Sequence, residues 1–344
     1  MGADDTSWGD RDTASMDAEI ALVAYPRCQM AAIFGLTDVF RVAGEQAAIL
    51  GSPDTPVRVS HWQLDEHDVV CTYDSRPGTA HRPTHVIFPP SLVEPEHMGS
   101  ADTLRRWALG LRADGAVLGA LCAGVFVLAE TGVLDRRPAT THWAFADQFA
   151  RRFPSVELDA TRMVIDDGDV ITAAGIMAWV DLGLSLVESL LGPTVMLRTS
   201  RFMIADAPRQ HQMPYMDFKP PNTHTDEEVL RIQQRIQSEL DRPLSIEDLA
   251  RSVSLHPRTL QRRFSKATAM SVTEYIQAAR LERVMQDLAV TDHTLERIAQ
   301  SVGYTDTSTL RKLVRRSTGV TPAEYRRKFR TPSTRVAEAS PTHA

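Results

Sequence analysis

Short apolar runs alternate with amphipathic stretches along the first two hundred residues. Runs of this length, bounded by proline, glycine or polar residues, are typical of buried strands. They occur at Ile20–Tyr25, Val57–Trp62, Thr84–Phe88 and Ala116–Leu121. A helical stretch reaching Ala43 follows the first run, and an amphipathic helix around Asp102–Arg112 lies between the last two. Strands that alternate with helices at this spacing predict βαβ units and a largely parallel sheet.

Two later patterns complete this N-terminal region. Arg162–Ile165 and Val170–Thr172 flank an acidic turn and predict a hairpin, and a long apolar helix, Ile176–Leu191, ends at a Gly-Pro pair. We therefore expect an α/β domain over residues 19–205, preceded by a disordered leader over residues 1–18.

The pattern changes after residue 205. Residues 206–225 are rich in proline and polar side chains and show no periodicity, which predicts a linker. Residues 226–330 are helical in pattern throughout, and we expect residues 331–344 to be a disordered tail. Ser245, Ser271 and Thr321 each precede an acidic residue by three positions, the spacing of a capping box at a helix start.

The helical region contains an internal repeat. Ser245–Val253 resembles Thr294–Val302 at an offset of 49, and beyond the turn Leu260 aligns with Leu310 at an offset of 50. Each copy predicts a short helix, a tight turn and a second helix rich in Arg and Lys, which is the helix-turn-helix layout. The connecting helix, Val272–Leu288, spans ~25 Å, enough to hold two recognition helices about one turn of DNA apart. The alternative is a bundle of short helices with solvated basic faces.

The charge is distributed unevenly between these regions. The whole chain of 344 residues has a formal net charge of −6, which by itself argues against nucleic-acid binding. Residues 251–330, however, carry 16 basic and 7 acidic side chains, a charge of +9, whereas the first 250 residues carry 21 basic and 36 acidic ones, a charge of −15. A compact basic region on an acidic chain indicates polyanion binding by that region alone.

Composition excludes several other classes of protein. The longest apolar run, Ala116–Ala129, is too short to cross a bilayer core of ~30 Å, and the acidic N-terminus lacks the pattern of a secretory signal. The three cysteines are odd in number and far apart, which excludes a disulfide scaffold and favours a reducing cytoplasm. The histidines at positions 81, 85 and 97 lack metal-ligand spacing, so we expect no metal site. We also expect no cofactor and no membrane partner.

Residues 226–330 resemble the AraC/XylS family of bacterial transcription regulators. The most specific part is the segment GYTDTSTLRKLVRRSTGVTPAEYR in the second copy. The resemblance implies that base edges are read in the first copy by Arg258, Gln261 and Arg262. The equivalent outward set in the second copy is Thr307, Ser308, Arg311 and Lys312. Lys266, Arg315 and Arg316 are expected to hold phosphates.

Two residues depart from the pattern of that family. Ala269 stands where the second copy has Gly319, so a left-handed turn in the first copy is expected to be strained. Val314 replaces the usual aromatic residue, which predicts a smaller core in the second copy.

A second resemblance begins at Cys122. The thiol follows a buried strand and opens a helix, which is where a nucleophile elbow lies, and a helix N-terminus is expected to lower its pKa. Residues 19–204 resemble the PfpI/ThiJ-type, class I glutamine-amidotransferase-like superfamily. The matching segments are Cys122-Ala123-Gly124, Thr140-Thr141-His142 and Asp169–Thr172. The resemblance implies a flavodoxin-like α/β sandwich.

The groups needed for catalysis are incomplete. Active members of the superfamily place a carboxylate from the first βα segment beside the thiol, but Pro26–Thr37 contains no Asp or Glu. We therefore expect a catalytically inactive domain in which Cys122 and His142 are vestigial and, with Trp143, line a ligand pocket. Trp62 and Trp179 are further candidates for its lining. A buried, purely structural Cys122 and a retained Cys/His enzyme remain alternatives.

Together these patterns predict a cytoplasmic, ligand-responsive transcription regulator that dimerises through its α/β domain. The expected partners are double-stranded DNA, an unidentified small-molecule effector and a second copy of the chain, with RNA polymerase as a further candidate. One alternative is a PfpI-like cysteine enzyme, of hydratase, glyoxalase or amidase type, that carries a DNA-binding module. The other is an architectural DNA-binding protein with no ligand.

Overall fold

The computed structural model describes residues 18–52, 57–221, 224–304 and 306–330. The expected tail, and the expected leader apart from Ala18, lie outside the described residues. The chain divides into two compact units, which we term the α/β unit (Met1–Gln212) and the helical unit (Met213–Ala344).

The α/β unit is built on a seven-stranded sheet, and a further pair of strands forms a small second sheet. Within the described residues the strands are β1 (Ala18–Ala24), β2 (Val57–Asp65), β3 (Asp68–Asp74), β4 (His85–Phe88), β5 (Val117–Leu121), β6 (Pro138–Ala139), β7 (Glu157–Leu158), β8 (Val164–Asp166) and β9 (Val170–Ala173). The small sheet pairs β6 with β7.

The order of strands in the large sheet is β3-β2-β1-β4-β5-β9-β8. The five central strands are parallel to one another, and only the edge strands β3 and β8 are antiparallel to their neighbours. The expected largely parallel sheet is therefore confirmed. The direction of the strand order reverses between β1 and β4, and in open α/β sheets ligands bind outside the carboxyl ends of the strands at such a point.

Six helices belong to the described part of the α/β unit. They are α1 (Met30–Ile49), α2 (Asp102–Ala113), α3 (Gly124–Ala129), α4 (Ala146–Arg152), α5 (Ala178–Leu191) and α6 (Pro193–Phe202). The apolar helix α5 stops where the sequence indicated, because Gly192 adopts φ +86° and Pro193 begins the next helix. None of the described helices of the chain is long and apolar enough to cross a bilayer.

The helical unit contains seven helices among its described residues. They are α7 (Glu227–Ser238), α8 (Ile246–Ser252), α9 (Pro257–Thr268), α10 (Val272–Val290), α11 (Leu295–Ser301), α12 (Thr307–Thr318) and α13 (Pro322–Phe329). Reciprocal capping boxes start α10 at Ser271 and α13 at Thr321. At Ser245 the carboxylate of Asp248 instead accepts a hydrogen bond from the serine hydroxyl, since the aspartate side chain is one carbon shorter than glutamate.

The division between the units falls inside residues 206–225, the segment expected to be a linker. On the α/β side, the Arg209 guanidinium lies 2.5 Å from the Asp181 carboxylate. On the helical side, the ring of Phe218 packs edge-on against Tyr275 at 5.2 Å between centroids. Side chains of this segment therefore pack onto both units, although its sequence has no periodicity.

Candidate nucleic-acid interface and ligand site

Two helix-turn-helix copies with matching local structure lie in the helical unit, α8 with α9 and α11 with α12. The first helix of each begins at a hydroxyl cap, Ser245 or Thr294. In each turn, the carbonyl of a buried alanine, Ala250 or Ala299, accepts a backbone hydrogen bond of 2.9 Å from the residue five positions later. The small alanine side chain lets the two helices of each copy cross closely.

The second helix of each copy buries one stripe and exposes the other. The buried stripe consists of Leu260, Phe264, Thr268, Leu310, Val314 and Thr318. Its spacing of four residues is that of one helix face. The exposed face carries Arg258, Gln261, Arg262, Lys266, Ser308, Arg311, Lys312, Arg315 and Arg316. Thr307, at the start of α12, is half-buried.

Two residues of the exposed face have partners within the helical unit. The Ser308 hydroxyl donates to the carboxylate of Asp306 at 2.6 Å, and the same carboxylate accepts backbone N–H bonds and caps α12. These hydrogen bonds lower the pKa of Asp306. Arg311 lies 3.8 Å from Glu296, and both side chains are exposed. Exposed pairs of this kind contribute little free energy, so Arg311 can leave Glu296 for another anion.

Arg263 does not lie on the exposed face of α9 but forms ion pairs within the helical unit. Its guanidinium lies 2.7 Å from Asp226 and 2.5 Å from Glu228, and the bond from Arg263 lowers the pKa of Asp226. Asp226 also caps α7 through the Val229 N–H. Arg263 therefore ties α9 to α7, a role that its position beside Arg262 in the sequence does not reveal.

Both expected departures from the family pattern are visible in the structure. Ala269 adopts φ +58° and Gly319 φ +74°, so the first copy holds a side chain in the left-handed region. Phe264 packs against Tyr275 in the first core, whereas the buried members of the second core, Val314 among them, are aliphatic or methionine side chains. The strain and the smaller second core are confirmed.

Cys122 occupies a sharp turn from β5 into α3. Its φ is +54°, its N–H donates to the Ala173 carbonyl at 2.7 Å, and its carbonyl accepts from the Thr141 hydroxyl at 2.8 Å. A side chain at Gly124 would collide with the carbonyl oxygen of Pro89. This strained strand-to-helix backbone is that of a nucleophile elbow.

The Cys122 thiol is fully buried. Burial raises its pKa to about 12 and outweighs the N–H groups of Ala123 and Gly175, which lower it. The expectation that a helix N-terminus lowers this pKa is therefore wrong. Burial destabilises the thiolate by more than the nearby N–H dipoles stabilise it. The sulfur is a neutral thiol at physiological pH and a weak nucleophile.

Gln29 directly precedes α1, within the segment Pro26–Thr37 that lacks carboxylates. Its N–H donates to the Pro90 carbonyl at 2.7 Å, and its buried side-chain oxygen has no partner among the described residues. The Tyr25 hydroxyl donates to the Pro89 carbonyl at 2.7 Å, so the ends of β1 and β4 meet here. Gln29 is not among the residues predicted from the sequence, because only a carboxylate is expected in this segment of an active member.

His142 and Trp143 directly follow Thr141, which is bonded to the elbow. The His142 ring accepts the Ala144 N–H at Nδ1 and lies 5.4 Å from the Trp143 ring. The Trp143 N–H donates to the side-chain oxygen of Gln212 at 2.9 Å, and the Gln212 amide donates to the Thr141 carbonyl at 2.9 Å. Elbow, loop and the last residue of the α/β unit thus form one hydrogen-bonded network.

The other two tryptophans expected to line the pocket pack against residues outside the loop of His142 and Trp143. Trp62, on β2, packs against Trp107 at 4.9 Å, and two strands separate β2 from β5. Trp179 packs against Gly35 of α1. Across the described ranges, no group of His, Cys, Asp or Glu side chains has an arrangement that could hold a metal ion.

Two family models match the chain. The DJ-1/PfpI family matches residues 30–189, and a helix-turn-helix domain matches residues 249–328. The regulatory protein SoxS of Salmonella typhimurium is 31% identical over 94 residues, which cover 27% of this chain and 88% of SoxS. The chain belongs to the AraC-type helix-turn-helix family and carries a DJ-1/PfpI domain.

This AraC-type chain is also similar to a longer stretch of another regulator and to a short stretch of an enzyme. The HTH-type transcriptional regulator ArgR of Pseudomonas aeruginosa is 29% identical over 222 residues, 64% of this chain and 67% of ArgR, so the match spans about two thirds of that regulator. An isonitrile hydratase of Pseudomonas putida is 36% identical over 73 residues, 21% of this chain and 30% of the hydratase. The DJ-1/PfpI match runs from α1 into α5 and confirms the amidotransferase-like sandwich expected for the α/β unit.

Proposed function

We propose that this AraC-type chain is a sequence-specific, DNA-binding transcription regulator whose α/β unit senses a small molecule. The observation that carries the proposal is the pair of recognition helices, α9 and α12, which bury the same stripe and expose the same basic face. The +9 charge of residues 251–330 attracts double-stranded DNA to this face, whereas the −15 charge of residues 1–250 repels it elsewhere.

The exposed side chains divide into two roles. Arg258, Gln261 and Arg262 of α9, and Thr307, Ser308, Arg311 and Lys312 of α12, would read base edges. Arg262 can bond a guanine with two donors and Gln261 can pair with an adenine. Lys266, Arg315 and Arg316 lie nearer the helix C-termini and would hold phosphates.

Single substitutions separate these roles. Arg262→Ala is expected to cost about 1–3 kcal/mol of binding free energy and to relax preference at one base position. Arg316→Ala is expected to weaken binding to all sequences alike and to reduce the slope of log K against log salt by about 1. Titration of labelled duplexes at several salt concentrations measures both effects, and indistinguishable behaviour of the two variants would contradict the assigned roles.

We place the effector site at Cys122, His142 and Trp143. Support comes from the network in which Gln212, the last residue of the α/β unit, is bonded to the loop that carries His142 and Trp143. A ligand that moves this loop acts directly on the chain segment leading into the helical unit.

A thermal-shift screen of small metabolites on the intact chain tests the site. Compounds that stabilise the wild type should lose that effect in Trp143→Ala and retain it in Trp62→Phe. Equal stabilisation of both variants would exclude the site.

A second candidate function is a cysteine-dependent enzyme of hydratase, glyoxalase or amidase type. The elbow backbone at Cys122 favours it, and so does the 36% identity with an isonitrile hydratase over 73 residues. The raised pKa of the thiol argues against it, and we propose that the domain is catalytically inactive. Incubation with isonitrile, aldehyde and amide substrates should give no turnover; turnover that disappears in Cys122→Ala would establish the enzyme instead.

We further propose that the regulator is a homodimer in the cytoplasm and that RNA polymerase is a partner when it is bound at a promoter. Large apolar side chains exposed on the α/β unit, Phe34 at 56% and Phe202 at 63%, support dimerisation through that unit. Sedimentation equilibrium should give twice the chain mass of 38.2 kDa; a single chain mass would exclude the dimer.

A further inference from the structure

The two helix-turn-helix copies have separate hydrophobic cores. The first contains Tyr275, Ile276 and Ala279 from the beginning of α10, and the second contains Val284 and Leu288 from its end. One continuous helix therefore enters both cores. The orientation of α12 relative to α9 depends on this helix and on whatever joins the copies beside it.

Arg280 lies on α10 at the boundary between the two cores. Its guanidinium donates at 2.7 Å to the carbonyl of Arg242, which lies between α7 and α8 in a segment that packs against the first core. The same guanidinium lies 5.7 Å from the ring centre of Tyr304, in the second copy. Its Nε atom is buried without a hydrogen-bond partner among the described residues. The cation is thus held between a carbonyl of the α7–α8 segment, which packs against the first core, and an aromatic face of the second copy.

Gly303 brings the second copy close to this contact. A Cβ atom there would lie 2.9 Å from the Arg280 guanidinium and 3.2 Å from the carbonyl of Leu240, a residue that packs against the first core. Gly303 also has φ +73°. The equivalent residue in the first copy, Ser254, has φ +55° but carries an exposed side chain. The turn itself therefore tolerates a side chain, and the glycine at 303 serves the close approach between the copies.

We propose that Arg280, clamped between the Arg242 carbonyl and the Tyr304 ring, is the positioning residue that fixes the two recognition helices relative to each other, so that the chain reads two half-sites at one spacing only. The inference rests on the proposed DNA-binding function. Arg280 is not assigned a contact with DNA; its effect is on geometry. Loss of the clamp leaves each core and each recognition helix in place but frees the second copy to reorient about α10.

The test uses intact chain and the duplex that the wild type selects from a random pool. Inserting 5 bp between the half-sites turns one of them by about half a helical turn. We expect this insertion to weaken wild-type binding by about tenfold or more and Arg280→Met binding by about threefold or less. The matched control is Arg283→Met, which removes an exposed arginine from the same helix, where it lies 3.3 Å from Asp287; it should keep the wild-type dependence on spacing.

Tyr304→Leu provides a second variant, since leucine is the residue at the equivalent position 255 of the first copy. It should also broaden the accepted spacing, and circular dichroism identifies any variant that has lost its helices. If Arg280→Met and Tyr304→Leu are folded and retain the full spacing penalty, the inference fails while the DNA-binding function stands. It fails equally if only Phe218→Ala, which removes the side chain packed on Tyr275, changes the spacing. If the wild type selects no sequence, the proposed function itself fails.

Discussion

Ala269 and Gly319 occupy the same left-handed position at the ends of the two recognition helices. A side chain there costs roughly 1–2 kcal/mol, partly offset by the larger conformational entropy that glycine loses on folding. We expect Ala269→Gly to raise the free energy of unfolding by about 0.5–1 kcal/mol and Gly319→Ala to lower it by a similar amount. No atom lies within 4 Å of a Cβ at Gly319, so backbone strain alone is tested. Urea denaturation measures the free energy of unfolding of both variants. A change of the same sign in the two would contradict this explanation.

The three thiols differ in exposure and should differ in reactivity. Burial raises the pKa of Cys122 to about 12 and of Cys28 to about 11, whereas Cys71 is half-exposed. Iodoacetamide at pH 8 should alkylate Cys71 first and reach Cys122 only after unfolding. Rapid labelling of Cys122 in the native chain, read by mass spectrometry of peptides, would contradict the buried, neutral thiol.

The raised thiol pKa values also predict how the free energy of unfolding changes with pH. A thiol whose folded pKa lies above its unfolded value favours the folded state fully below about pH 9, and this advantage is lost as the pH rises towards 12. The free energy of unfolding should therefore fall between pH 9 and pH 12, and by less in Cys122→Ala. An equal fall in wild type and variant would show that Cys122 does not contribute.

At the scale of elements, the elbow depends on close packing between α3 and the end of β4. A Cβ at Gly124 would overlap the Pro89 carbonyl, which is backbone and cannot turn aside. We expect Gly124→Ala to lower the free energy of unfolding by about 2 kcal/mol. Gly110 of α2 is the matched control: no atom lies within 4 Å of a Cβ there, and alanine should stabilise the helix by about 1 kcal/mol. Thermal unfolding of the two variants should shift in opposite directions, and a neutral Gly124→Ala would contradict the packing argument.

The elements that could be predicted from the sequence are those with a strong local pattern. β1, β4 and β5 are buried on both faces and so read as continuous apolar runs. The repeat, its caps and the buried stripes of α9 and α12 follow from helical spacing. The sequence pattern does not predict β3, because this antiparallel edge strand, Asp68–Asp74, is only partly buried and mixes polar with apolar residues.

Contacts between distant residues escaped sequence reasoning. Glu19 and Arg58 are both buried and lie 3.4 Å apart on neighbouring strands, with Asp74 2.6 Å from the same guanidinium. Nothing local marks them as partners. The same holds for the Arg280 clamp, and for Gln212, whose bonds reach the loop at Thr141 from 71 residues away.

At the scale of the whole molecule, the opposite charges of the two regions matter more than the net charge of −6. The basic residues on the exposed faces of α9 and α12 concentrate attraction for polyanions on the helical unit. In the α/β unit, Cys122 has the backbone of an elbow but is buried, and Pro26–Thr37 contains no carboxylate. The whole chain therefore combines a DJ-1/PfpI domain with an AraC-type helix-turn-helix domain.

Selection of duplexes from a random pool by the intact chain tests this account most directly. We expect enrichment of one motif made of two half-sites at a fixed spacing. Arg262→Ala should lose preference at a base pair within one half-site and leave the other half-site unchanged. Failure to enrich any sequence, or an unaltered motif in Arg262→Ala, would contradict the assignment of α9 and α12 as recognition helices.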